Sequence, residues 1–480
     1  MINYRVVFNV LGSLLCFLGP LMLIPLVVAM YYGESPYPFA VSFAVTTIVG
    51  SLLSFRFVST GEDEWEKREG FAIVAFGWFA AALFGSIPYM FDGVTPLNAL
   101  FESMSGFTTT GATIFVDIES HSRSLLFWRS MTQWIGGMGI IMLFIAILPK
   151  LGVAGRQMFR AEAPGPKEDQ IKPRIRETAK ILWAVYVSIS VLELILLLAA
   201  GMSFYDASTH TFTTMACGGF STYADSVAAF NSPLIEGIIT LFMFIAGANF
   251  ALHYKTLYSD KKSLIKDNEF KFYFVIVAIA TILLTGILLR DTYDTIPTAF
   301  RYAVFQVLSI LTTTGYATAD FNLWSDSGKV ILLAIMFIGG CAGSTAGGIK
   351  VVRVLILLKY ARRELFKAIH PKAIRPVKFN GKSVPGDIMH AIISFVVIYL
   401  LIFLLSSTIL TILGMDLTSS ITASIATLGN IGPGFNLVGP MANFSTVPAI
   451  GKLVLIANMW VGRLEVFTVI VMLTPEFWKR

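Results

Sequence analysis

Charge is what this chain has least of. Only 14% of its 480 residues are Asp, Glu, Lys or Arg and 55% are apolar, whereas about a quarter of a soluble globular domain is charged. With a mean hydropathy of +0.73, the composition excludes a soluble globular protein and leaves a polytopic membrane protein. Cysteine is nearly absent: Cys16, Cys217 and Cys341 are odd in number, far apart and set in apolar or glycine-rich sequence, which supports neither a disulfide framework nor a zinc site. The five histidines are scattered without the spacing of a metal-binding helix face, so a metalloenzyme has nothing to rest on. Clustered Asp, Glu or His with catalytic spacing at a membrane face is also missing, which removes an integral-membrane enzyme such as a lipid-linked transferase. The net charge of +6 is modest and implies no nucleic-acid partner. The first apolar run, residues 6–32, has no small-residue cleavage site and is too long for a signal peptide. It reads as a retained helix.

What the chain has in abundance is stretches of about 20 mostly apolar residues, the length that crosses the hydrocarbon core. Ten spans are expected: residues 8–32, 38–57, 70–91, 125–148, 179–200, 234–254, 272–289, 330–359, 388–413 and 447–473. Three connections collect the basic residues: 150–180 (Arg156, Arg160, Lys167, Lys172, Arg174, Arg176), 255–271 (Lys261, Lys262, Lys266) and 359–382 (Arg362, Arg363, Lys367, Lys372, Arg375, Lys378). If the spans alternate, all three lie on one side. The positive-inside rule makes that side cytoplasmic and puts both termini there.

The connections on the other side differ in kind. Residues 95–124, 203–233, 291–328 and 416–446 each open with a short, potentially helical segment, pass through a glycine-bearing stretch, and return through a polar tail. The four stretches contain Thr109-Thr110-Gly111, Cys217-Gly218-Gly219, Thr313-Thr314-Gly315 and Asn430-Ile431-Gly432. Each lies between two spans, and each interval between glycines holds the same two spans. Non-helical backbone survives at membrane depth only where protein buries it or water reaches it, so four re-entrant loops around one axis would shelter each other. A ring of backbone carbonyls can replace the hydration shell of a monovalent cation. A monovalent cation is thus expected as the substrate, held by the carbonyls of those twelve residues, with the preceding short helices turning their partially negative C-terminal ends toward the pore. A set of ordinary tight turns explains any one loop, but not four in register.

The expected architecture is an all-α polytopic membrane protein. An N-terminal transmembrane hairpin (1–69) precedes four span–re-entrant loop–span repeats (70–150, 151–265, 266–370 and 371–480) around a pseudo-tetrameric pore.

Four motifs carry a family resemblance over essentially the whole length. They are Ser105-Gly106-Phe107-Thr108-Thr109-Thr110-Gly111-Ala112-Thr113, Gln133-Trp134-Ile135-Gly136-Gly137-Met138-Gly139, Gly343-Ser344-Thr345-Ala346-Gly347-Gly348-Ile349-Lys350 and Gly462-Arg463-Leu464-Glu465. With them the chain resembles the TrkH branch of the Trk/Ktr/HKT superfamily of bacterial, fungal and plant potassium transporters. The resemblance implies a pseudo-tetrameric pore, a homodimer in the bacterial inner membrane, and a cytosolic nucleotide-binding regulatory subunit of the TrkA type, which would hold the only nucleotide; no covalent cofactor is expected. Two loops depart from the family pattern, with Cys217 where threonine is frequent and Asn430-Ile431 in place of a threonine pair. Four unlike loops should discriminate ions less sharply than four identical ones, so sodium is expected to permeate measurably.

Residues 330–359 are too long and too glycine-rich for one straight helix. Close helix packing by small residues would explain the glycines, and the order Gly348-Ile349-Lys350 is not that of a phosphate-binding loop. The resemblance implies instead an intramembrane gate below the filter, formed by Gly343, Ser344, Thr345, Ala346, Gly347, Gly348 and Lys350, with Lys350 near the cytoplasmic mouth. Arg463 falls mid-span, where an ionised side chain costs at least ~2.5 kcal/mol. It reads as a pore-lining electrostatic barrier, the alternative being a salt bridge with a carboxylate such as Glu465. Glu102 is placed to brace the first loop from behind, and Asn249 and His253 either line the pore or bond across helices. The function expected is channel-like potassium uptake by a protein that is not an enzyme; symport of potassium with protons or sodium is the alternative.

Overall fold

The structure, a computed structural model, describes residues 2–57, 67–139 and 175–479. Among these residues it is mainly helix, with one two-stranded antiparallel hairpin pairing Lys378–Phe379 with Lys382–Ser383. Six helices are long and apolar enough to cross a bilayer: Tyr4–Tyr31, Tyr37–Arg56, Arg68–Phe91, Glu177–Ala199, Asn268–Asp291 and Gly386–Ile412. The molecule is an all-α polytopic membrane protein.

Four segments begin and end where sequence chemistry says a helix should. Pro96–Phe107, Phe204–Met215, Ile296–Leu311 and Leu417–Leu428 are preceded by Thr95, Ser203, Thr295 and Asp416, all extended N-cap residues. The Ser203 hydroxyl accepts from Asp206 N–H and the Asp416 carboxylate from Ser419 N–H, both at 3.0 Å. Pro96 and Pro297 occupy first-turn positions where no N–H is needed. Three of the four have 12 residues, about 18 Å of helix. That is too short to cross the hydrocarbon core.

The second helix of two units departs from the straight span expected. Residues 234–254 form Pro233–Ala246 and Phe250–Tyr258, bent by 95°, and residues 447–473 form Ala449–Arg463 and Phe467–Leu473, bent by 111°. Residues 330–359 are broken as expected, into Asp326–Met336 and Val351–Ile369. Of residues 125–148, the helix Arg123–Gly137 is seen; the remainder falls outside the described residues, as does most of the basic 150–180 connection with Arg156, Arg160, Lys167, Lys172 and Arg174. The unexpected bends have local causes that a hydropathy window does not sense. At the first, the Asn249 side chain caps the new helix by accepting from Ala251 N–H at 2.8 Å, and the His253 ring bonds Ile245 O at 2.9 Å across the break. Asn249 and His253 are therefore fittings of the bend. At the second, Glu465 and Val466 take positive φ of 53° and 60°, which no helix accommodates.

At the N-terminus, Tyr4–Leu21 crosses Tyr37–Arg56 so closely that a Cβ on Gly12 would lie 2.6 Å from Gly50 O, a small-residue contact suited to lipid. Glu34, in the short turn between them, reaches across to the first unit. Its carboxylate accepts from Arg123 N–H (2.7 Å), Ser124 N–H (3.0 Å) and Ser124 Oγ (2.6 Å), capping Arg123–Gly137.

Candidate functional site: a ring of four loops

All four loops share one backbone path. Thr109, Cys217, Thr313 and Asn430 have φ of 54°, 53°, 59° and 54°, and two residues later Gly111, Gly219, Gly315 and Gly432 have φ of 80°, 72°, 82° and 103°. Left-handed backbone is ordinary for glycine but strained for a β-branched threonine, at a cost of ~1–3 kcal/mol per residue. In each loop the N–H groups fold back onto the short helix. Thr109 bonds Gly106 O (3.0 Å) and Thr110 bonds Ser105 O (2.8 Å); Cys217 and Gly218, Thr313 and Thr314, and Asn430 and Ile431 do the same with Thr214 and Thr213, Ile310 and Ser309, and Thr427 and Ala426. With the donors used there, the loops present oxygen.

The loops meet head to tail. A Cβ on Gly111 would strike the carbonyl oxygen of Gly218, one on Gly219 that of Thr314, one on Gly315 that of Ile431, and one on Gly432 that of Thr110. The cycle closes, so the twelve residues singled out in sequence converge in one ring. A cavity of about 70 Å³ opens on it, lined by the four glycines together with Thr113, Ser221 and the 439–444 segment.

Behind the ring each return strand is braced differently. Glu102 accepts from Thr113 Oγ1 and Ile114 N–H, both at 2.9 Å, as its sequence position led one to expect. It is paired with Arg129 at 2.6 Å, both side chains 2% exposed or less. Arg129 also donates to Ser221 O (2.8 Å) and covers the Phe220 ring at 3.6 Å, joining the first loop to the second. The corresponding braces are His210 on Ser221 Oγ (3.1 Å), Gln306 on Thr318 Oγ1 (3.4 Å) and Thr422 on Phe435 N–H (2.9 Å). Gln133 clips the second loop by donating to Gly218 O (2.7 Å) and accepting from Phe220 N–H (3.1 Å). Sequence reading passed over Arg129, Gln133, His210 and Gln306 as bracing groups. The signal was there, in long polar side chains within otherwise apolar helices.

On the side of the ring away from the glycines lies the break in residues 330–359. Its neck is closed by Gly339 N–H on Ile349 O (2.8 Å) and Val351 N–H on Gly340 O (3.1 Å). Gly343 and Gly348 supply positive φ of 74° and 65°, and Gly343 O accepts from Phe250 N–H at 3.0 Å. Ser344 Oγ bonds Cys341 O at 2.5 Å. Thr345 Oγ1 reaches Met215 O (2.9 Å) and Cys217 Sγ (3.1 Å), and Gly347 N–H donates to Thr313 Oγ1 (2.7 Å). Asn430 Nδ2 donates to Thr110 Oγ1 and Met459 O, both at 3.0 Å, while its Oδ1 lies beside Gly347 and Gly462. The loop is thus tied to the second and third strands of the ring. Lys350 is buried, its ammonium folded back onto Ala346 O. A lysine inside a closed neck satisfies itself on the nearest carbonyl.

Arg463 stands at the end of Ala449–Arg463, at the bend that divides residues 447–473. Its guanidinium donates to Thr109 Oγ1 (3.0 Å), Thr345 O (2.8 Å), Gly136 O (2.6 Å) and Gly137 O (2.7 Å). Glu465 instead pairs with Arg353, which covers the Phe395 ring at 4.0 Å. One cation therefore touches the first ring strand, the loop at residues 343–348 and the end of the Arg123–Gly137 helix.

Comparison with known proteins agrees over the full length. The TrkH family model, described as a cation transport protein, matches residues 37–480. The Trk system potassium uptake protein TrkH of Salmonella typhimurium is 40% identical over 484 residues, covering 99% of this chain and 100% of that protein. The Trk system potassium uptake protein TrkG of Escherichia coli is 34% identical over 485 residues, covering 99% of each. The crystal structure of the potassium transporter TrkH from Vibrio parahaemolyticus matches with a TM-score of 0.90 at 38% identity, covering 100% of both chains. By sequence motif, fold and end-to-end likeness, the chain belongs to the TrkH family of cation transport proteins.

Proposed function

We propose that this protein takes up potassium across the bacterial inner membrane through the ring of four loops, by channel-like conduction. The observation that carries the reading is the closed cycle of glycine-to-carbonyl contacts, in which the N–H groups bond back to the short helices. Such a ring offers a bare potassium ion oxygens in place of water without a fixed charge to trap it. The relatives' names, Trk system potassium uptake proteins, support the ion and the direction. Residues 343–350 and Arg463 form the gate, being bonded to the underside of the ring. The basic connections at 255–271 and 359–382 face the cytoplasm with both termini and receive a nucleotide-binding regulatory subunit of the TrkA type, and two copies of the chain form a homodimer.

The test is potassium and sodium flux in liposomes holding the purified protein, with and without that subunit. Potassium flux above protein-free vesicles, with a reversal potential that follows the potassium gradient alone, is expected. Absence of flux under both conditions overturns the reading, and a reversal potential that moves with pH or sodium replaces the channel by a symporter.

A further inference from the structure

The two flanks of the intramembrane loop, bonded to each other at the neck, are also held from outside it. Glu269, the second residue of Asn268–Asp291 and only 4% exposed, holds them with a single oxygen. Its Oε1 accepts from Ala342 N–H at 2.7 Å and from Val352 N–H at 3.0 Å. One donor precedes the loop and the other follows it. Val352 lies in the first turn of Val351–Ile369, where N–H groups have no partner within the helix and the partial positive charge favours a carboxylate.

The start of the helix bearing Glu269 is gripped in turn by the hairpin. Asn380 Oδ1 accepts from Asn268 N–H at 3.0 Å, and Asn380 Nδ2 donates to Asp267 Oδ2 at 2.8 Å. Asn380 and Gly381 form the two-residue turn between the strands with φ of 44° and 82°, the geometry that Asn-Gly favours. A second contact is apolar. Val377 and Val352 are core members of a small cluster, separate from the main core, against which Phe379, Val384 and Ala342 also pack. The hairpin therefore bonds the helix start that carries Glu269 and shares one small apolar cluster with Ala342 and Val352, the two residues whose N–H groups Glu269 holds.

We propose that Glu269 is the latch of the intramembrane loop and that the Lys378–Ser383 hairpin is the handle that moves it. Displacing the hairpin shifts the Asn268 end of the helix, draws Oε1 away from its donors and frees the loop flanks. Glu269 is a positioning residue, since it contacts the loop's flanks and not the ring. The inference rests on the reading of residues 343–350 as a gate.

The full-length protein in lipid nanodiscs tests this by hydrogen exchange over residues 338–352, with potassium flux in liposomes measured in parallel. Loss of both bonds in E269A should speed exchange there about tenfold. E269Q, which keeps an oxygen in place, should restore most of the protection, and N380A should speed exchange by a smaller factor. Should E269A fail to assemble, E269D, whose carboxylate falls one methylene short, serves in its place. Unchanged exchange in E269A, or in E269D where that stands in for it, overturns the latch, and unchanged exchange in N380A overturns the handle. Flux separates the two readings, with deletion of residues 343–347 as the control. If the deletion raises flux and E269A does not, the gate stands and the latch falls. If E269A loosens the flanks while the deletion leaves flux unchanged, the tie is real and the gate reading fails.

Discussion

Arg463 sets one guanidinium against four oxygens drawn from three parts of the chain. In the proposed pore its charge would repel a cation leaving the ring, while its donors hold the surroundings together, and two substitutions part these effects. R463A should raise potassium flux in liposomes; R463K, which keeps the charge but not the planar fork, should leave it low. Wild-type uptake by R463A across potassium concentrations would defeat the barrier. The Glu102–Arg129 pair is a different case, since both partners are fully enclosed. Removing one partner of such a pair costs ~3–5 kcal/mol, whereas replacing both by apolar groups is often far milder. R129M alone should therefore lower the melting temperature and the potassium-over-sodium flux ratio more than the E102L/R129M double variant does. Equal losses in single and double variants would mean that the pair does not act as a unit.

Among the elements, the intramembrane loop is the one whose removal is informative. Deleting residues 343–347 takes away the bonds from Thr345 to Cys217 and from Gly347 to Thr313, and flux should rise; unchanged or lower flux in a well-folded deletion counts against a gate. The presence of this break was legible in the sequence because five glycines crowd residues 339–348. The four short helices were legible too, as helical segments that run into the glycine stretches. The bends at Asn249 and Glu465 were not. A window of hydropathy averages over the one or two residues whose N–H groups a distant or local side chain satisfies, and Val466 at positive φ runs against its own preference. Long-range caps were equally hidden. Nothing near Glu34 in the sequence announces Arg123 and Ser124, and nothing near Glu269 announces Ala342 and Val352.

At the scale of the whole molecule, a single chain supplies all four sides of the ring, and the sides are unlike. Thr109, Cys217, Thr313 and Asn430 place two hydroxyls, a thiol and an amide at corresponding points. Potassium should pass faster than sodium in reconstituted vesicles, yet sodium should pass measurably. Equal fluxes would remove the preference, and replacing Cys217 by Thr should shift the flux ratio toward potassium. The closed cycle of glycines and carbonyls has a consequence for inheritance. In a pore made of four identical subunits every substitution at the ring is read four times, so a small change in the gene is a large change in the site. Here each codon addresses one quarter, and natural variation can move ion preference by small steps.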